Sequence, residues 1–232
     1  MSTPDSSLQP APRSLARRLT TNLLAALVVV ALLAPPLGLL RTLRVSSINM
    51  VPTLALDDHV VVRGYGSNPV RGDVIVYRSP FGDDLLVGRI VAVSGDRVEM
   101  TAGGLHLDGH AVADAADAPC PAEPLAGSKA AEHADPASAA ACPGEDGLVS
   151  AETLGSHRYF TRNAGGLASL LFPQRTVPDD HVFVLNDNRI DERDSRIYGA
   201  IPLDAIVGVA SFVYYAFDEM GIRWDRMNRR VS

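Results

Sequence analysis

Between Leu23 and Leu40 the chain runs LLAALVVVALLAPPLGLL, eighteen residues without a charged or hydrogen-bonding side chain. An α-helix rises about 1.5 Å per residue, so this run reaches about 27 Å, close to the thickness of a bilayer core. Arg13, Arg17 and Arg18 precede it, and positive charge is retained on the cytoplasmic side, which sets the N-terminus inside. Arg41 and Arg44 follow at once, so the charge asymmetry is modest. A cleaved signal peptide shares the basic start and apolar run, but this run is long for that role and no small-x-small site follows it before Arg41. Pro35 and Pro36 kink or end the helix near its outer end. The expectation is a tail over 1–21, an anchor over 22–40 and an exported remainder.

At 232 residues the chain has room for one anchored domain with a small insertion, and 47% hydrophobic residues suffice for its core. A net charge of −6 and scattered arginines exclude a general nucleic-acid binder. Lys and Arg together number 21, and Lys129 is the sole lysine. Residues 113–150 are Ala-, Pro- and acid-rich and read as a cap-like insertion into a domain made of 41–112 and 151–232. Cys120 and Cys142 lie in that insertion with only His133 between them. A metal site needs more ligands at closer spacing, so no metal and no cofactor is assigned. In an exported domain the two cysteines are candidates for a disulfide, with two free thiols as the alternative.

After the anchor, short Val-, Ile- and Tyr-rich runs alternate with turn signals: 59–65, 73–78, 85–93, 97–100, 105–107, 181–185 and 205–217. Asp108-Gly109 is a tight-hairpin signal. The fold class is therefore mostly β, an antiparallel sheet or barrel. The tail IRWDRMNRR reads as an edge strand or short helix, or as a membrane-surface contact with Trp224 at headgroup depth.

Three stretches in order resemble the signature boxes of bacterial type I signal peptidases, membrane-anchored serine endopeptidases that remove signal peptides from exported proteins. The first is Ser46-Ser47-Ile48-Asn49-Met50-Val51-Pro52-Thr53-Leu54. The second is Arg71-Gly72-Asp73 with Gly88-Arg89-Ile90-Val91-Ala92-Val93-Ser94-Gly95-Asp96. The third runs from Val177 through His181 to Asn186-Asp187-Asn188-Arg189, and on to Asp194-Ser195-Arg196-Ile197-Tyr198-Gly199. The likeness spans residues 15–112 and 175–230. It implies the family's β fold, a single-pass protein of the cytoplasmic membrane and a periplasmic or extracytoplasmic domain. The implied partners are signal peptides or exported precursors, membrane lipid and an active paralogue.

The resemblance also implies a Ser–Lys dyad. A hydroxyl needs a base within hydrogen-bond reach, and lysine serves only when its surroundings lower its pKa. The serine is expected immediately before Met50 and the lysine immediately before Arg89, where this chain has Asn49 and Gly88. A carboxamide is not a nucleophile at neutral pH, and glycine has no side chain. Ser47, two residues before Asn49, holds the place of a hydroxyl that steadies the oxyanion and is the one substitute nucleophile. A histidine base would be expected where Gly88 stands, but His59, His106 and His181 fall elsewhere, and Lys129 lies in the insertion. Ala92, Asn186 and Glu192 are further departures, at places where the family carries glycine, glycine and a small hydroxyl residue. Arg89, Asp187, Arg189, Asp194 and Arg196 are expected to brace the fold by ion pairing. Met50, Pro52, Val74, Val76 and Leu86 are expected to line a cleft that takes an extended peptide by strand addition. Three functions follow as expectations: a degenerate homologue that binds precursors, a peptidase working through Ser47, or a structural envelope protein whose insertion makes the contact.

Overall fold

The computed structural model describes residues 22–23, 41–66, 68, 70–112, 149–163 and 171–231. Its Cα packing divides the chain into Met1–Arg41 and Thr42–Ser232, and the architecture that follows is that of the second part. All of the apolar run but Leu23 lies outside the described residues, as do 113–148 with Cys120, Lys129 and Cys142. Among the described residues no helix is long and apolar enough to cross a membrane.

The strands, in chain order, are β1 (Arg41–Arg44), β2 (Asp58–Gly64), β3 (Val74–Arg78), β4 (Leu85–Val93), β5 (Arg97–Thr101), β6 (Gly104–Leu107) and β7 (His110–Ala111). They continue as β8 (Val149–Leu154), β9 (His157–Arg162), β10 (Phe172–Thr176), β11 (His181–Leu185), β12 (Ile201–Pro202), β13 (Ile206–Asp218) and β14 (Gly221–Ile222). A single-turn helix α1 (Ser195–Tyr198) precedes β12. Among the described residues the largest sheet has eight strands in the order β1-β2-β13-β3-β4-β11-β12, with β14 beside β13. A second sheet runs β10-β5-β6-β7, and β8 and β9 form a hairpin of their own. Pairing throughout these ladders is antiparallel, as the alternating runs predict.

The continuous apolar run of β3 is explained by burial on both faces. Val74 and Val76 join one core cluster with Val60, Val62 and Val213. Ile75 and Tyr77, pointing the opposite way, join another with Ile90, Val182 and Val184. A third cluster, around Val98, Phe172, Phe183 and Leu185, joins the second sheet to the first. β13 is the spine, pairing with β2 on one side and β3 on the other. At Gly208 the strands approach so closely that a Cβ would strike the Arg63 carbonyl, so only glycine fits. Asp108 and Gly109 both take positive φ, +52° and +81°, the turn that the sequence signals between β6 and β7.

The tail forms both β14 and a 3-10 turn over Trp224–Arg226. It is pinned by the buried Arg226, whose Nε and Nη2 donate to Asp58 at 3.0 and 2.7 Å.

Candidate active site

The loop after β1 is fixed at its root by backbone bonds between Val45 and Asp58 and between Asp57 and Val45, 2.8 and 2.9 Å. Met50 and Leu54 plunge into the core with no exposure. These anchors leave Ser46, Ser47 and Asn49 along one wall of a groove. The opposite wall is the outer half of β4. β11 pairs with β4 only from Arg89 onward, whereas Leu85–Gly88 pair with β3 alone, so one edge of that half-strand is free of a strand partner. The groove encloses about 420 Å³ and is lined by Arg44, Ser46, Ser47, Asn49, Ser79, Asp84, Leu86, Val87, Asp191, Arg193 and Tyr198, among others. Among the described residues neither a lysine nor a histidine lines it.

A chain of neutral side chains runs from the groove wall into the buried interior. The Ser47 hydroxyl donates to Oδ1 of Asn49. Nδ2 of Asn49 donates to the Val87 carbonyl at 2.8 Å and to Oδ1 of Asn186 at 3.1 Å. Nδ2 of Asn186 in turn donates to the Asp191 and Arg193 carbonyls, 3.1 and 3.3 Å. Asn49 therefore joins the loop to the free edge of β4 and to the segment after β11. The same two segments are sewn together by Asn188, whose backbone N–H donates to the Asn49 carbonyl at 3.0 Å. Next to Val87, Gly88 is walled in: a Cβ built there would strike Cγ1 of Val184, with Tyr77 Cε1 and the Leu185 carbonyl 3.6 Å away.

Behind the groove is a buried set of charges. Arg89 has no exposure, and its Nε and Nη2 grip both oxygens of Asp187 at 2.8 and 2.7 Å. Its Nη1 donates to the Gly72 carbonyl, and its guanidinium lies 3.9 Å from the centre of the Tyr159 ring. Thr53 donates to Asp187 from the loop. Burial opposes the charge on Arg89, but the field and hydrogen bonds of Asp187 outweigh it and its pKa is raised. Arg189 pairs with Glu152 of β8 at 2.6 Å, and Tyr159 of β9 donates to the same carboxylate at 2.7 Å. Asp194 caps α1 through the Arg196 N–H, receives the Arg196 guanidinium at 2.8 and 2.7 Å, and accepts from the Asn186 N–H.

The sequence matches the family described as signal peptidase, peptidase S26, over residues 16–215. The chain belongs to the signal peptidase family. Signal peptidase I S of Bacillus subtilis (strain 168) is 31% identical over 177 residues, covering 74% of this chain and 75% of that protein. The probable signal peptidase I-1 of Synechocystis sp. is 27% identical over 188 residues, 76% of this chain and 72% of its own length. A crystal structure of a signal peptidase I from Enterococcus faecalis V583 is 22% identical, with a TM-score of 0.36, and covers 63% of this chain and all of that one.

In this signal-peptidase-family chain the residues singled out from the sequence separate into three places. Ser47, Asn49 and Leu86 line the groove, and Gly88 follows its edge. Met50, Val74 and Val76, expected in the cleft, are instead fully buried core residues beneath it, and Pro52 is half-buried outside the lining. Arg89, Asp187, Arg189, Asp194 and Arg196 all lie in the buried charge set. Glu192 is half-buried and does not line the groove, although Asp191 and Arg193 on either side do. His59 packs against Tyr214 and Tyr215, while His106 and His181 bond to backbone carbonyls of their own turns. Sequence reasoning missed Glu152 and Tyr159 as partners of the buried arginines. It also missed Val184 beside Gly88 and the link from Asn186 to Asn49. Asn186 was visible as a departure from the third box; the other three carry no local signal.

Proposed function

We propose that this chain is a signal-peptidase-family protein that binds exported precursors without cleaving them. The observation that carries this reading is the condition of positions 49 and 88, where the resemblance puts the serine and lysine. Asn49 is a carboxamide held in three hydrogen bonds, and Gly88 has its side-chain space taken by a methyl of Val184. Ser47 donates to an amide oxygen, which is no base, so its hydroxyl stays a weak nucleophile. Of the two carboxylates that line the groove, Asp84 sits in the exposed β3–β4 turn, and at Asp191 burial pushes the pKa up but the hydrogen bonds and charge of Arg193 hold it below the ordinary range, which makes it a poor proton acceptor.

The binding half of the reading rests on the edge of Leu85–Gly88, which has no second strand partner although Asn49 holds its Val87 carbonyl. An extended segment laid along it gains backbone hydrogen bonds, and a 420 Å³ groove holds its side chains. The apolar run Leu23–Leu40 is read as the anchor, with the domain on the extracytoplasmic side and Trp224 at the lipid surface. The test is the purified full chain in detergent with a fluorescent precursor segment carrying an Ala-x-Ala site. Saturable binding with the peptide recovered intact supports the reading; absence of binding, or cleavage, contradicts it.

A further inference from the structure

Resting on that reading of the groove as a peptide site, we propose that one end of it selects a basic residue, lysine or arginine, in the bound segment. Four charged side chains line the groove: Arg44, Asp84, Asp191 and Arg193. Three are already engaged. Arg44 donates to Asp57, 2.9 Å from Nε and 2.7 Å from Nη2, and Arg193 grips both oxygens of Asp191 at 3.0 and 2.7 Å. The carboxylate of Asp84 has no ion-pair or hydrogen-bond partner among the described residues, although its carbonyl accepts from Ser79. Asp83, exposed beside it in the β3–β4 turn, adds a second negative charge.

The same turn carries Phe81, 75% exposed, whose ring meets Tyr198 edge to face at 5.4 Å. Tyr198 also lines the groove. An unpaired carboxylate lining the same groove as the half-buried Tyr198, with the exposed Phe81 ring against that tyrosine, suits a flexible cation. The carboxylate supplies the counter-charge, the rings supply polarisable faces, and the long aliphatic stem lies along Leu85 and Leu86. A neutral small side chain gains none of these contacts, and an acidic one meets repulsion.

The experiment uses labelled extended peptides of alanine and leucine in which a lysine, then a glutamate, is moved position by position. They are titrated by anisotropy against the full chain and its Asp84→Asn and Asp84→Lys variants at low salt. Asp84 is an exposed turn residue, and unchanged thermal midpoints show that the variants fold. At one position lysine should tighten binding about fivefold over alanine, a gain that Asp84→Asn removes and Asp84→Lys turns into a preference for glutamate. If alanine peptides bind but no position rewards lysine, or if the gain survives Asp84→Asn, this inference is overturned while the peptide groove stands. If no peptide binds at all, both fall.

Discussion

Nδ2 of Asn49 lies 3.1 Å from Oδ1 of Asn186, so a groove-lining carboxamide is tied to a fully buried one. Asn49 donates and Asn186 accepts. Asn49→Ala removes the donor to both Asn186 and the Val87 carbonyl and leaves buried acceptors without partners. The expected cost is about 1–3 kcal/mol in urea denaturation. Asn49→Ala combined with Asn186→Ala should cost less than the sum of the two single changes, as a double-mutant cycle would show.

Placing a lysine at position 88 should fail unless room is made for it. The first atom of any side chain there collides with Val184, so Gly88→Lys is expected to destabilise the fold by about 1–3 kcal/mol. Adding Val184→Ala should recover part of that loss. In the Asn49→Ser background, precursor cleavage is expected only when Gly88→Lys and Val184→Ala are both present. Stability is read from chemical denaturation and cleavage from gel shift of the precursor.

The Arg89–Asp187 pair is fully buried, and removing one partner strands a charge. Asp187→Ala should therefore cost about 3–5 kcal/mol, more than any exposed ion pair of the groove. Glu152→Gln should also destabilise, since it withdraws the counter-charge of Arg189 and weakens the acceptor of Tyr159. Both values follow from equilibrium unfolding at neutral pH.

Asp191 gives a pH signature. Burial raises its pKa, but the hydrogen bonds and charge of Arg193 more than reverse this, so the folded value is depressed. A depressed carboxyl contributes stability above its unfolded pKa of about 3.9 and loses it as pH falls through the folded value. The stability gap between the native protein and Asp191→Asn should be constant above about pH 5 and shrink below about pH 4. A gap that widened on acidification would contradict the pairing with Arg193.

β2, β3, β4, β5, β6, β11 and β13 are legible because their Val-, Ile- and Tyr-rich runs alternate or are apolar throughout, as in the two-sided β3. The hairpin β8–β9 is not: in VSAETL and HRYFTR paired polar residues break any period-two run, and Glu152 and Tyr159 serve Arg189 and Arg89, which are far along the chain. β10 was hidden by Pro173 and by a register irregularity between Phe172 and Arg175. At the site, Asn49 and Gly88 were readable from their boxes, because each sits at a fixed step from Met50 or Arg89. The wall that Val184 presents to Gly88 comes from strand pairing between β4 and β11, which no local spacing encodes. Met50, Val74 and Val76 are expected in the cleft, but Met50 turns inward from its loop and β3 is packed on both faces, so all three lie in the core.

The most direct measurement is cleavage of an Ala-x-Ala precursor by the purified full chain in detergent, beside a Ser47→Ala variant and a buffer blank. Precursor remaining intact at the blank's rate in both, while binding saturates, is the predicted result. Cleavage above the blank that Ser47→Ala abolishes would mean that the hydroxyl bonded to Asn49 is the nucleophile and that the proposed loss of the reactive pair is mistaken.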